Sequence, residues 1–115
     1  MRSPALRVYI VWIQILPGDS GDAAARSAAE LLPDDPRVTS YWDADQALGV
    51  DLGKTLAIPA QSLPSAVAWD VYLVYPPGVA WGSAPVFWMH QLEEVSQAPL
   101  LDAAVLRNRV ESLAR

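Results

Sequence analysis

The sequence offers few side chains for catalysis, and its one histidine is the first of them. His90 lies in the stretch Phe-Trp-Met-His-Gln and is followed closely by Glu93 and Glu94. A general base that works near neutral pH has to be this imidazole or a perturbed carboxylate. One interpretation is a His–carboxylate pair in a cleft, completed by Asp43 or Asp70. The interpretation we favour is a partly exposed histidine at a strand end that makes a hydrogen bond.

Two Trp-Asp dipeptides contribute the other candidate binding residues. Asp43 follows Trp42 and has Gln46 three residues later, the spacing of a helix capping box, so we predict a cap rather than a catalyst. Asp70 falls inside a predicted strand, where an unpaired charge is costly, so we expect a structural partner, with ligand contact as the alternative. Trp42 and Trp81, at the ends of elements, are candidates for a binding surface, although packing is the favoured role of both.

Several classes of chemistry are excluded or disfavoured by what the sequence lacks. The chain contains no cysteine, so disulfides, thiolate nucleophiles, cysteine metal sites and thiol oxidoreductase activity are excluded. One histidine does not fit a conventional zinc site, and the glycines lack phosphate-loop spacing. We therefore predict no cofactor and no metal, and an enzyme is the less favoured class.

Charge and hydropathy narrow the range of partners. The net charge is −5, and the eight Lys and Arg residues are scattered, which disfavours nucleic acid and anionic membranes as partners. The longest apolar run, residues 8–16, is too short to span a bilayer. Its β-branched and aromatic residues favour a buried strand over a secretory signal. The remaining expectation is a soluble protein, with a cytoplasmic location favoured, whose partner is another protein.

The elements that must position these residues follow from periodicity and turn chemistry. The first half of the chain predicts a central strand over residues 6–16 and a helix over 23–32 capped by Asp19 or Ser20. A short extended piece follows over 37–42, and a second helix runs from Ala44 to about Gly49.

The second half predicts a loop over residues 58–65, a strand over 67–75, a turn at 76–78, a strand within 84–90 and a helix over 99–113. The order is β-α-(α)-β-β-α. Residues 1–115 are expected to form one α/β domain with a mixed sheet of about three strands.

Four stretches in this order resemble a group of bacterial thioredoxin-like proteins. The stretches are Val-Tyr-x-Val-Trp at residues 8–12, Asp-Pro-Arg-Val at 35–38, Tyr-Trp-Asp at 41–43 and Val-Ala-Trp-Asp-x-Tyr at 67–72. The resemblance covers residues 6 to 90. It implies an incomplete three-layer thioredoxin-like fold. The resembling proteins begin with a strand and with a helix that starts at Cys-x-x-Cys, and this chain has neither.

The resemblance also shapes the functional expectation. The family's cis proline has its nearest counterpart at Pro64, three residues before Val67, so neither a redox role nor a cis bond at Leu63–Pro64 is carried over. In these proteins the missing first strand lies between the strands that match 6–16 and 67–75, which leaves sheet edges open to self-association. We therefore expect a redox-inactive interaction or structural module, or the remainder of a longer thiol-disulfide protein. The alternative is a small ligand-binding protein or acid/base enzyme that uses His90 and a carboxylate.

Overall fold

The computed structural model describes residues 5–15, 17–58, 67–80, 83–92, 95 and 97–113. In these residues four strands, three α-helices and one short 3-10 helix follow one another along the chain. Their bounds are β1 Val8–Ile13, α1 Gly21–Leu31, β2 Val38–Asp43, the 3-10 helix Ala44–Gln46, α2 Ala47–Thr55, β3 Val71–Val74, β4 Phe87–His90 and α3 Ala103–Leu113. The chain divides into two compact units, Met1–Ala47 and Leu48–Arg115.

The first unit is a β-α-β segment whose two strands run parallel. β1 and β2 pair in register from Val8 opposite Val38 to Ile13 opposite Asp43. The intervening helix α1 begins at the predicted cap, because the Ser20 hydroxyl accepts a hydrogen bond from the Ala23 amide at 3.1 Å. Ala24 is the buried residue of α1.

The second unit contains the β3–β4 hairpin and the larger apolar core. The strands are antiparallel, with Val71 opposite His90 and Val74 opposite Phe87. The turn that follows β3 contains Gly78 at φ +79°, as the Pro-Pro-Gly sequence predicts. Five buried residues of this unit form one cluster: Leu52, Leu56, Ile58, Ala68 and Leu92. Partly buried side chains of the hairpin, among them Leu73 and Trp88, pack against this cluster.

Helix α3 is the last element of the second unit, and a local side chain caps its N-terminus. The Asp102 carboxylate accepts from the amides of Ala104 and Val105 at 3.0 and 3.1 Å, which caps the helix. The Arg109 guanidinium lies over the Phe87 ring, 4.8 Å from its centroid. No residue of α3 is buried. The predicted helix over 99–113 is thus shorter, because Leu100 forms a bridge with His90 instead.

The predicted single mixed sheet is wrong. In the described residues the four strands form two separate two-stranded sheets, one parallel and one antiparallel. The short extended piece at 37–42 is a full strand, because β1 supplies it with a parallel partner. An α/β composition is confirmed, whereas the three-layer arrangement and the single domain over residues 1–115 stay predictions.

Two local predictions are also wrong. Asp43 makes no side-chain cap bond, and the Gln46 amide donates instead to the Gln14 carbonyl, so no capping box forms. Both Asp45 and Gln46 have φ of 60°, so a left-handed kink lies within the 3-10 helix, just before α2 begins. The predicted strand 67–75 begins only at Val71, since the residue before it has φ of 52°.

Other predictions fall on residues outside the described ones. These are most of the loop over 58–65 with the Leu63–Pro64 bond, and Trp81, Glu93 and Glu94. Within the described part of the chain, no helix is both long and apolar enough to cross a membrane.

Candidate functional site

His90, the only candidate base with an imidazole, is buried, and backbone groups occupy both its ring nitrogens. Its exposed fraction is 1%. The Nδ1 atom accepts a hydrogen bond from the Leu92 amide at 3.1 Å. Since Nδ1 accepts, Nε2 carries the proton and donates to the Ala98 carbonyl at 2.8 Å. The ring is therefore neutral in this arrangement. The predicted hydrogen bond is present, but the predicted partial exposure is wrong.

The main chain of His90 is fixed as well. Its amide donates to the Pro99 carbonyl at 3.2 Å, and its carbonyl accepts from the Leu101 amide at 2.7 Å. The Trp88 ring lies 5.8 Å away on the same face of the hairpin. Three of these four hydrogen bonds join His90 to residues 98–101, which lead into α3, and the fourth joins it to Leu92. Both ring nitrogens are already bonded to the main chain.

Asp70 lies beside the strand that carries His90 but does not pair with its ring. The Asp70 carbonyl accepts from the Gln91 amide at 2.9 Å, which brings the two chain segments together. Asp70 is exposed and precedes β3 in a left-handed conformation, so the predicted position within a strand is wrong. Exposure to water removes the burial penalty from which a polar partner was inferred.

Trp42 and Asp43 belong to the other unit, at the end of β2. Asp43 is 9% exposed. The Trp42 indole packs against the start of α1, where a Cβ added at Gly21 would lie 3.4 Å from the indole Cδ1. Trp42 is partly buried by this contact, which matches the packing role favoured from the sequence.

The outward face and edge of β2 form a feature that the candidate residues did not include. We call residues Thr39, Ser40 and Tyr41 the β2 edge; all three are exposed. Tyr41 and Tyr9 are 46% and 48% exposed, and their ring centroids are 6.2 Å apart. The Ser40 hydroxyl accepts from the Trp12 indole N–H at 2.9 Å. A run of uncharged, β-favouring residues was the sequence signal for this edge.

The pairing with β1 determines which backbone groups of β2 point outward. The Val8 amide donates to the Arg37 carbonyl at 2.8 Å, in a register that places Val8 opposite Val38. Because successive residues of a strand direct their amides to opposite sides, the amides of Thr39 and Tyr41 point towards β1. The amides of Ser40 and Trp42 then face away from β1.

Asp35 and Arg37 fix the start of this strand. The Arg37 guanidinium donates to the Asp35 carboxylate at 2.7 Å, and the same carboxylate accepts from the Arg37 backbone amide at 2.9 Å. The Val38 amide donates to the Asp35 carbonyl at 3.0 Å. The side-chain hydrogen bond from Arg37 lowers the pKa of the Asp35 carboxyl to about 2.

An open hollow of about 360 Å³ lies beside β2, next to the end of α1. Its lining consists mostly of small apolar residues with one carboxylate, Asp34; it comprises Ala28, Ala29, Leu32, Pro33, Asp34, Val38 and Ser40. Nothing in this lining carries a positive charge, so the hollow does not fit an anionic ligand.

In the second unit, burial raises the pKa of the Tyr75 phenol, whose hydroxyl donates to the Ser83 carbonyl at 2.7 Å.

The described residues bring no three potential metal-ligating side chains together. Comparisons of the chain with protein-family models, with curated proteins and with solved structures found no match. The candidate features are therefore defined by geometry alone. One unit contains a buried histidine whose ring nitrogens both bond to the main chain, and the other contains an exposed parallel strand edge.

Proposed function

We propose that this chain is an interaction module without thiol or acid/base chemistry, and that the β2 edge binds the same strand of a second copy. The observation that carries the proposal is the exposure of Thr39, Ser40 and Tyr41 in a strand that pairs in parallel. Parallel strands are normally covered on both faces and flanked by further strands. The described residues of β1 and β2 form a two-stranded parallel sheet. Its three consecutive exposed residues, in β2, are not covered by another element.

The β2 edge also lacks the features by which proteins prevent strand pairing. Exposed edges are usually protected by lysine, proline, a bulge or an inward charge. From Thr39 to Trp42 the chain has no charged residue and no proline, and the register with β1 is continuous. Among the described residues the outward amides of Ser40 and Trp42 have no acceptor, so they can bond to another extended strand, in the mode known as β-augmentation.

A second copy is the partner that this edge fits best. Two identical uncharged strands can pair antiparallel about a twofold axis, so that a residue i of one copy faces a residue j of the other and j faces i in turn. The net charge of −5 opposes association, but no charge lies within the paired segment itself, and salt screens the remainder over about 8 Å.

The alternative of an acid/base enzyme has no comparable support. A general base needs a ring nitrogen within reach of a substrate proton. Both nitrogens of His90 bond to the main chain, and the ring is buried.

The relationship to thioredoxin-like proteins is part of the proposal. It is supported by the four sequence stretches, and by a β-α-β segment followed by an antiparallel hairpin and a helix. On this proposal the chain is a redox-inactive derivative, since it has no cysteine to carry the dithiol reaction.

Self-association through the β2 edge is tested by placing a charge on it. Thr39→Lys places a lysine on the exposed edge in each copy, and a charged lysine on an edge strand opposes strand pairing. We expect the dimer dissociation constant, measured by sedimentation over a concentration series, to rise at least about tenfold, or about 1.4 kcal/mol. The matched control is Ala25→Lys, which adds the same charge at an exposed position of α1 in the same unit.

Amide hydrogen exchange gives a second readout of the same contact. The amides of Ser40 and Trp42 should gain protection as the protein concentration rises, because they point away from β1. Those of Thr39 and Tyr41 should be protected at every concentration. A wild-type chain that stays monomeric at millimolar concentration contradicts the proposal, and so does equal weakening of the dimer by both lysine variants.

A further inference from the structure

We propose that the second copy pairs with β2 in one register, the register that places Ser40 on the twofold axis. This inference rests on the self-association proposed above and adds which residues meet across it. Residues directly opposite in an antiparallel pair point to the same face of the sheet, so the axis passes through a residue and not between two. Strand β2 has six residues. Only two registers oppose five of them: residues 38–42 with the axis at Ser40, or residues 39–43 with the axis at Tyr41.

Backbone hydrogen bonds are equally good in these two registers. The Val38 amide already donates to the Asp35 carbonyl at 3.0 Å, so Ser40 and Trp42 supply the outward donors of the strand. With the axis at Ser40, the two Ser40 residues bond to each other, and each Trp42 amide donates to the Val38 carbonyl of the other copy. With the axis at Tyr41, Ser40 and Trp42 bond to each other. The number of bonds is the same, so the side chains decide the register.

The face of the sheet that carries the tyrosines favours the axis at Ser40. In this register Thr39 lies opposite Tyr41 of the second copy, and within its own copy it is paired with Tyr9 of β1. Tyr9 and Tyr41 are 48% and 46% exposed. Each Thr39 is then flanked by a tyrosine on both sides. A β-branched residue opposite an aromatic one is a favourable cross-strand pair.

The face that carries Trp42 favours the same register. With the axis at Ser40, Val38 of one copy lies opposite Trp42 of the other, which pairs an apolar side chain with an apolar one. With the axis at Tyr41, Trp42 lies opposite the polar Ser40. Val38 then lies beyond the end of the partner strand, opposite Ala44 of the 3-10 helix.

The charges at the ends of β2 separate the two registers further. Asp43 is the last residue of the strand and is 9% exposed. Covering a carboxylate further is costly unless an opposite charge meets it. With the axis at Tyr41, Asp43 lies inside the paired segment, opposite the uncharged Thr39. With the axis at Ser40, Asp43 lies outside the paired segment, and the residue opposite it is Arg37. Charge complementarity therefore favours Ser40 on the axis.

The chain has no cysteine, so one introduced cysteine identifies the register, because only a residue on the axis meets its own counterpart. In Ser40→Cys the two Cα atoms would lie about 5.5 Å apart, inside the range of about 4.4–6.8 Å that a disulfide spans. In Thr39→Cys or Tyr41→Cys they would lie about 7–8 Å apart, beyond that range. We expect mild oxidation of Ser40→Cys to give at least about tenfold more covalent dimer than either of these variants.

A mixture of Thr39→Cys and Tyr41→Cys provides a second measurement. It should form a covalent heterodimer, because these two positions lie opposite each other with Cα atoms about 4.5 Å apart. The mixture keeps Ser40, whose hydroxyl accepts from the Trp12 indole, so it tests the register even where Ser40→Cys folds poorly. Arg26→Cys, at an exposed position of α1, measures the disulfides that arise from random collision.

Three results would overturn the proposal. Self-cross-linking of Tyr41→Cys in place of Ser40→Cys would move the axis by one residue and leave the dimer intact. Yields no higher than that of Arg26→Cys, for a wild-type chain that sediments as a dimer, would place the contact elsewhere. A wild-type chain that sediments as a monomer would refute the proposed self-association together with its register, so sedimentation distinguishes the two failures.

Discussion

Replacing Asp102 by alanine should open α3 locally without an equal loss of stability in the hairpin. Asp102 is the N-cap of this helix and accepts from two backbone amides, those of Ala104 and Val105. In the alanine variant these donors return to water, and the favourable interaction of a carboxylate with the helix N-terminus is also lost.

The cap is the largest identifiable local contribution to α3. A cap of this kind stabilises a helix by about 1 kcal/mol. The Arg107–Glu111 pair joins side chains that are 67% and 39% exposed, which limits it to about 0.3–0.5 kcal/mol. The Arg109–Phe87 contact adds about 0.5–1 kcal/mol at an exposed site. The helix has 11 residues and none is buried, and isolated helices shorter than about 12–15 residues are marginal.

The assay is amide exchange along α3, read at residues 107–110, whose donors do not bond to the lost carboxylate. A loss of about 1 kcal/mol corresponds to about fivefold faster exchange. Asp102→Asn is the matched control, because asparagine caps helices about as well as aspartate. The midpoint of denaturant unfolding, which reports the whole chain, should change less than the local exchange predicts.

Two results would refute this reasoning. If the alanine and asparagine variants exchange equally fast, the side-chain oxygen at Asp102 does not cap the helix. If the amides of β3 and β4 accelerate as much as those of α3, the helix opens only together with the hairpin, and the local-opening argument fails.

Two further predictions concern the ends of strands. An NMR titration should give the Asp35 carboxyl a pKa of about 2, and Arg37→Gln should return it towards about 3.9. The pKa of the Asp35 carboxyl is lower in the folded than in the unfolded chain. The contribution of this carboxylate to stability is therefore full above about pH 4 and is lost as the pH falls towards 2. Asp35→Asn should accordingly make unfolding less sensitive to acid. Gly78→Ala should lower the free energy of thermal unfolding by about 1 kcal/mol for backbone reasons alone, since φ is +79° and no atom lies within 4 Å of an added Cβ; Gly78→Asn should lower it less.

Local structure was predictable wherever neighbours along the chain determine it. The cap at Ser20, the helix that follows it and the turn at Gly78 depend on residues only a few positions apart. Hydrogen bonds within a helix turn, and the freedom of glycine to adopt positive φ, act at that range. The sequence therefore predicted these elements correctly, and their bounds shifted by only a few residues.

Pairing and burial were decided by the tertiary structure. The ring nitrogen of His90 that carries the proton could not be identified from the sequence, because the carbonyl that accepts from it belongs to Ala98, eight residues away. The strand status of residues 38–43 depends on β1, thirty positions earlier in register. Hydrogen bonds between distant segments carry no local signature, so the sequence by itself determined which residues were available for chemistry, and only the fold decided which of them were already occupied.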